Sequence, residues 1–559
     1  MIKVVSVAQM RRIEAAADAS GLSYAAMMQR AGQAVAERVL TLIENLPDAR
    51  VTLLIGSGNN GGDGLVAGRL IAEGSRALVR FYLLKPRSEA DENFAAVRAA
   101  GLFIAYAADD HDARVLRNMV ASADVLVDAL FGIGVRLPLT GDAAKVMRVV
   151  RQAIEPAADS IGGPASIDPT DGRVTRRRSS PYVLAVDCPS GLDCDSGALD
   201  PQTLFADETI TFIAAKPGLF LFPGAAAVGK LRVAPIGVPD TMSDLAETQR
   251  VLADAGLVRK LLPERPADGH KGTFGKALII AGSAHYVGAA GLASTAAYRV
   301  GTGLVTAAVP SRVAASLSAH LFEPTWIPLD ANDAYIGAGD ERLIYPQLDR
   351  YDAILIGPGF GQQETTREFL KRLLARLQSS TSPSDLRAEN NAGTRKARGV
   401  VIDADGLNLL SEMPDWCQHV PAGSVLTPHP GEMGRLAGMS TAAVQANRWH
   451  VVSQKAAEWK QVVVLKGAHT LIASPDGRLA VLPFKTDALA TAGTGDVLAG
   501  VIVGLLAQGL PVYEAAVAGS YIHGLAGLEA VKRAHSARSV VASDVLHSVG
   551  SALELIEAS

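Results

Sequence analysis

Thr491-Ala492-Gly493-Thr494-Gly495-Asp496 runs directly into Val497-Leu498-Ala499-Gly500-Val501-Ile502-Val503-Gly504-Leu505-Leu506. The glycines allow backbone conformations that other residues resist. The apolar run behind them is long enough for a buried helix. The first amides of a helix have no partner inside it, and with the helix dipole they attract an anion. Asp496 sits at that same place. A carboxylate there is poorly suited to hold phosphate, but well suited to take a proton from a hydroxyl that attacks it. The simpler alternative is a glycine turn in which Asp496 caps the helix.

The chain around this stretch has 559 residues, more than one ordinary core accommodates. Hydrophobic residues make up 48% and the formal net charge is −4, so the composition is globular and offers nucleic acid or an anionic membrane no basic surface. The three cysteines, Cys188, Cys194 and Cys417, form no C-x-x-C pair and no disulfide framework. No apolar run reaches spanning length, and the N-terminus carries no secretory pattern. These features lead us to expect a soluble cytoplasmic protein.

Upstream, Val51 to Ile55 reads as a buried strand, Gly56-Ser57-Gly58-Asn59-Asn60-Gly61-Gly62-Asp63-Gly64 as a loop, and Leu65 to Glu73 as a helix. The loop formally matches G-x-G-x-x-G, but no acid ends the following strand; Lys85 and Pro86 are there instead. Asn59, Asn60 and Asp63 add amide and carboxylate oxygens that suit a hard cation or sugar hydroxyls, or else cap an Asn/Gly turn. Two further strands end in acids and glycine loops: Ala123 to Ala129, containing Asp128, and Val183 to Val186, followed by Asp187-Cys188-Pro189-Ser190-Gly191. In a parallel sheet such strand ends share one edge, so Asn60, Asp128, Asp187 and Ser190 can converge. Gly224 to Lys230 nearly matches a P-loop, but Leu231 stands where a Ser or Thr is needed and a strand follows; we reject it.

N-N-G-G-D-G, D-A-L-F-G-x-G and A-V-D-x-P-S-G, in this order over about residues 1–240, resemble the NAD(P)H-hydrate epimerase family. The resemblance implies a Rossmann-like fold. It implies that Asn59, Asn60, Gly61, Gly62 and Asp63, with Gly132, Ile133, Gly134, Val135, Arg136, Leu137 and Pro138, bind the hydrated nucleotide. It further implies that Asn60, Asp128 and Ser190 hold K+, and that Asp187 is the acid/base beside the substrate. Residues 154–180 form an insertion, read as a solvated loop or, alternatively, a cap over the site.

The polar stretch 241–250 is expected to be a linker, and a second domain spans 251–559. There, strands at Lys276 to Ala281, Ala353 to Ile356, Val400 to Ile402, Val425 to Thr427 and Val462 to Leu465 each run into a polar or glycine loop. That is the pattern of an α/β, doubly wound sheet with its site along one edge. Residues 379–398 read as a flexible surface loop. H-K-G-x-x-G, G-P-G-x-G, D-A-D, T-P-H-P-G-E, K-G-A-H-T and A-G-T-G-D resemble, in family order, the ADP-dependent NAD(P)H-hydrate dehydratase family. This implies a ribokinase-like fold and Asp496 as the base. The amides of Gly493, Thr494 and Gly495 would steady the transferring phosphoryl group, and Lys466, Gly467, Ala468, His469 and Thr470 would bind ADP. Ala289, Gly359 and His429, with Asp496, would line the hydrate pocket. Mg2+ is expected with the nucleotide, and Glu432 as its indirect helper. Many relatives carry a Gly-Asn element before A-G-T-G-D; this chain has Thr486-Asp487-Ala488-Leu489-Ala490 instead.

Two α/β domains, each a doubly wound three-layer sandwich, are therefore expected to epimerise and then dehydrate NAD(P)H hydrates. The expected partners are the hydrate and ADP, with neither nucleic acid nor membrane, and the chain is expected to form a homo-oligomer. The rivals are a sugar or vitamin kinase of ribokinase type and a non-enzymatic dinucleotide sensor.

Overall fold

The computed structural model describes residues 2–46, 48–154, 181–332, 334–379 and 399–559. The two insertions noted above, 154–180 and 379–398, lie almost wholly outside these residues. The described chain forms two compact units that divide between Thr248 and Gln249.

In the N-terminal unit, short Val/Ile/Leu-rich runs form seven parallel strands in the order Phe103–Tyr106, Leu78–Leu83, Arg50–Ile55, Val125–Ala129, Tyr182–Val186, Glu208–Phe212, Lys230–Ala234. Side chains alternate across a strand, so each run supplies two cores. Leu53, Phe81, Val127 and Leu184 pack into one; Leu54, Tyr82, Leu126 and Val183 pack into the other. The strand order reverses between Arg50–Ile55 and Val125–Ala129, which opens a crevice at their carboxyl ends.

Two expectations need correction here. The glycine loop ends at Gly58, and the helix starts at Asn59 and runs as Asn59–Gly74. Gly61 and Gly62 therefore lie in the first helical turn. A side chain at Gly61 would strike the Gly56 carbonyl, and one at Gly62 the Met28 side chain. These glycines serve close packing rather than a turn. The expected linker is also partly ordered in the first unit: Ser243–Ala246 is a helical turn whose Leu245 is buried with Val5, Met10 and Ile13. Arg250–Leu252 is a strand beside Leu479–Val481.

The C-terminal unit holds the order Arg250–Leu252, Leu479–Val481, Leu471–Ala473, Val462–Leu465, Val425–Leu426, Gly399–Ile402, Ala353–Ile356, Lys276–Ile280, Leu304–Pro310, Thr325–Leu329. From Val462–Leu465 onward every pairing is parallel, while Leu471–Ala473 is antiparallel to both its neighbours. The sequence reading named five of these strands. It passed over the other five: Arg250–Leu252, Leu471–Ala473 and Leu479–Val481, which are only three residues long, and Leu304–Pro310 and Thr325–Leu329, whose apolar residues are interrupted by Thr and Pro. The helix Thr494–Ala507 is buried along nearly its whole length and packs on the small-residue helix Val287–Arg299. A helix apolar all round belongs inside a layered core. Among the described residues no helix is long and apolar enough to cross a membrane.

Candidate functional sites

In the N-terminal unit a cavity of about 720 Å³ opens at the switch point. Ser57, Gly58, Asn59, Asn60 and Asp63 line one side, and Gly132, Ile133, Gly134, Val135 and Asp187 another. Arg136, Leu137, Pro138, Gly61 and Gly62 are not among its lining residues. Asp128 closes its strand almost fully buried. Its carboxylate accepts the Ser190 hydroxyl at 2.6 Å and the Ser190 amide at 2.8 Å, and burial raises its pKa. Ser190 Oγ in turn accepts the Phe131 amide at 2.9 Å, pinning the turn that leads to Gly132. A Cβ at Gly132 would lie 3.1 Å from Asp187 Oδ2 and 3.3 Å from Asn60 Oδ1, so these two oxygens converge there. Asn60 is buried, and its carboxamide has no hydrogen-bond partner among the described residues. An orphaned buried amide is costly, and this one sits amid oxygen donors. Oxygens of this kind suit a hard cation at Asn60 and Asp187, while those of Asp128 and Ser190 bond each other.

Asp187 follows its strand in a left-handed conformation, φ 66°, unusual for a residue with a side chain. Its Oδ1 accepts Lys216 Nζ at 2.7 Å and Thr211 Oγ1 at 3.0 Å. Lys216 is 1% exposed; burial lowers its pKa, but Asp187 more than restores it and the ammonium persists. Glu14 and Asp63 also line the cavity, and burial together with the Asp187 charge raises both carboxyl pKa values. Sequence reasoning missed Lys216 and Glu14. The available signal for Lys216 was a lone charge in the apolar stretch Ile213 to Leu219, since a buried charge requires a partner.

In the C-terminal unit Gly493 takes φ 90° and opens the helix Thr494–Ala507. Asp496 lies in its first turn. Burial, reinforced by Asp403, raises its carboxyl to a pKa of about 7. The Lys466 ammonium would draw it down, but that group is bonded to Asp403 Oδ1 at 2.8 Å, with Glu432 at 3.7 Å. A Cβ at Gly495 would lie 3.6 Å from Lys466 Nζ and 3.9 Å from Asp403 Oδ2, so the cation faces the helix mouth. Of the three expected phosphoryl-binding amides, that of Thr494 donates to the Thr491 carbonyl at 3.3 Å. Asp403, the first acid of D-A-D, carried no role in the sequence reading, yet it holds Lys466 in place.

His429 caps the helix Pro430–Ala437: its Nδ1 accepts the Gly431 amide at 2.9 Å, while Glu432 accepts the His429 amide at 2.7 Å. Burial and the nearby Lys466 lower its pKa, so the ring is neutral. Gly359 takes φ 67°, and a Cβ there would press on Tyr286 and Ala289. Ala289 and Gly359 are thus neighbours.

A second cavity, about 210 Å³, is lined by Lys466, Gly467, Ala468, Thr470, Thr494 and Gly495. His469 departs from this set. Its side chain is buried, with Nδ1 against the Leu482 carbonyl at 3.0 Å, and burial lowers its pKa to about 4. It braces the loop from within, because the turn at φ 52° directs the ring inward.

Comparison with known proteins assigns a family to each unit. Residues 277–549 match the family described as NAD(P)H-hydrate dehydratase, and residues 24–218 match the YjeF-related protein N-terminus. The bifunctional NAD(P)H-hydrate repair enzyme of Moorella thermoacetica is 34% identical over 93% of this chain and 90% of its own. That of Escherichia coli K12 is 32% identical over 95% and 90%. The ADP/ATP-dependent NAD(P)H-hydrate dehydratase of Bacillus subtilis, co-crystallised with ATP/Mg2+, is 30% identical; the match covers 55% of this chain and 98% of that one, with a TM-score of 0.44. From 34% identity to a relative along nine-tenths of both chains, this chain belongs to the bifunctional NAD(P)H-hydrate repair enzymes.

Proposed function

We propose that this chain epimerises the R and S hydrates of NAD(P)H and dehydrates the S form, converting ADP to AMP and phosphate. The observation that carries the second activity is the Asp496 carboxyl, poised near pKa 7 at a buried helix mouth beside Lys466. A general base works best when its pKa lies near the operating pH. Asp496 takes the proton of the hydrate's C6 hydroxyl as that oxygen attacks the terminal phosphoryl group of ADP. The first amides of the helix and Lys466 meet the developing negative charge. Hydroxide is a poor leaving group, and the phosphate ester a good one. Phosphate then departs with the former C6 oxygen, C5 loses a proton, and the ring double bond returns. Mg2+ bound with the nucleotide would offset the negative charge of its phosphates. Ala289, Gly359 and His429 line the hydrate side, while Lys466, Gly467, Ala468 and Thr470 line the nucleotide side. Thr470 and its neighbours are supported by the smaller cavity.

In the N-terminal unit Asp187 shuttles the proton as the C6 hydroxyl leaves and re-adds on the other face. Lys216 keeps that carboxylate in register. Asn60, Asp128 and Ser190 would hold K+, whose charge suits the oxygen-rich turn and the phosphates of the substrate. We assign the two activities to separate units, Ile2–Thr248 and Gln249–Ser559. A homo-oligomer in the cytoplasm remains our expectation for the assembled protein.

The test follows the absorbance of the reduced nicotinamide after mixing S-hydrate, ADP and magnesium. Return of absorbance with release of phosphate is expected. A stable phosphorylated product would point to a kinase, and tight binding without turnover to a sensor. Supplying R-hydrate instead reads the epimerase in the same experiment.

A further inference from the structure

The smaller cavity has a wall that the reaction outlined above does not use. The helix Val512–Ala534 presents Ser520 and His523, three residues apart and so on one face, into it. Ser520 is 2% exposed and His523 8%, yet Ser520 Oγ and His523 Nε2 have no partner among the described residues. Two orphaned polar atoms in one small pocket are unusual in a folded core. Leu482, Phe484, Leu489 and Leu498 supply apolar surface beside them, and Lys466, Thr470, Thr486 and Thr494 the remaining polar groups. A side chain at position 524 would collide with Phe484, so Gly524 allows that ring to lie against the helix. The Tyr521 ring, on the same helix, packs against that of Phe484 edge-on, centroids 4.9 Å apart at 60°.

The imidazole's state is defined by its surroundings. Nδ1 engages the Thr494 backbone as donor, and burial lowers the pKa to about 4. The ring is therefore neutral and Nε2 is a hydrogen-bond acceptor. Apolar surface from Leu482, Phe484, Leu489 and Leu498 beside one fixed acceptor and the Ser520 hydroxyl suits a flat heteroaromatic base that carries an amino group. We propose that Ser520 and His523 read the base of the nucleotide, His523 Nε2 accepting from the exocyclic amino group of adenine and Ser520 bonding the adjacent ring nitrogen. This rests on the nucleotide side assigned above. A 6-oxo base sets its carbonyl oxygen against Nε2, acceptor against acceptor, and leaves both groups unsatisfied. Site groups left unpaired are what reject a close analogue. The pocket therefore distinguishes adenine from hypoxanthine and guanine nucleotides by their chemistry at C6.

Calorimetry with the full-length protein tests this. Wild type is expected to bind ADP at least about tenfold more tightly than IDP, the cost of one unmade buried hydrogen bond. His523→Leu should narrow that ratio to about threefold or less, and His523→Gln should recover part of it. Ser520→Ala should weaken ADP and IDP alike. A His523→Leu protein that melts normally and keeps the wild-type ratio overturns the proposal. An arm that needs no variant compares ADP with its N6,N6-dimethyl analogue on wild type: loss of about tenfold or more is expected, and equal affinity also overturns it. Base discrimination without hydrate turnover would sink the reaction and leave the pocket standing. Turnover without discrimination would do the reverse.

Discussion

The two units each place an aspartate at the edge of a parallel sheet and a lysine nearby, but they arrange the pair differently. In the N-terminal unit Lys216 touches Asp187 directly, at 2.7 Å, and both are sequestered. In the C-terminal unit Lys466 is bonded to Asp403, and Asp496 stands apart with its pKa raised to about 7. An ammonium in contact fixes where a carboxylate lies; an ammonium claimed by another acid leaves burial to act on the free carboxyl. The first arrangement suits a group that must hold one position while protons pass. The second suits a base that accepts a proton and keeps it through a phosphoryl transfer. Residue type is the same in both, so the difference lies in which acid the lysine reaches.

The largest expected effect is that of Asp496→Asn. It should lower dehydration by about 10³-fold or more, within the usual range for a lost general base, and leave epimerisation intact. Near-normal dehydration by this variant would remove Asp496 from the mechanism. Asp187→Asn should do the converse, with R-hydrate persisting while S-hydrate is consumed; racemisation at the wild-type rate would rule out the assignment. Lys216→Met is expected to lose epimerisation and to destabilise the N-terminal unit by about 3–5 kcal/mol, because it leaves an uncompensated buried carboxylate. Chemical denaturation followed from that unit checks this, and an unchanged midpoint would contradict the pairing.

The pH dependence is the next sharpest comparison. Asp496 must be ionised to act, so dehydration should rise with pH and level off above about 7. Asp403→Asn removes a charge that raises the Asp496 pKa and frees Lys466, which lowers it, so the limb should move to lower pH. A limb that stays in place would break the proposed division of labour. The same shift carries a stability sign. The folded-state pKa lies above the ordinary value of 3.8, so the ionised form disfavours folding. This cost is absent below about pH 4 and complete above about pH 7. Asp496→Asn should accordingly melt higher than wild type at pH 8 and no higher at pH 4. The smallest effect is expected from the cation. Asn60→Ala, or sodium in place of potassium, should reduce epimerisation severalfold and leave dehydration unchanged. Equal activity in sodium would count against the Asn60, Asp128 and Ser190 site.

Much of this was legible in the chain itself. Buried parallel strands read as unbroken apolar runs, so Arg50–Ile55, Val125–Ala129, Ala353–Ile356 and Val462–Leu465 could be found without coordinates. Polar residues and glycines that follow such runs lie at one edge, so Asn60, Asp128 and Asp187 could be expected to converge, whereas Asp496 was singled out from the glycines ahead of an apolar helix. Less regular strands escaped: Leu304–Pro310 and Thr325–Leu329 carry Thr and Pro that break the pattern. The role of the Asn59–Asp63 glycines was misread because a turn and a tight helix–sheet contact use the same residue for different reasons.

The sequence by itself determined the two sheets, the order of their motifs and the acids at their edges, because local apolar runs and glycine spacing are written residue by residue. Only the tertiary structure decided that Lys216 pairs with Asp187, that Asp403 takes Lys466 from Asp496, that His469 turns inward, and that Ser520 Oγ and His523 Nε2 line the smaller cavity with no partner among the described residues. Those are contacts between residues far apart in the chain. Their strength comes from exclusion of water, which no stretch of sequence possesses until the layers close over it.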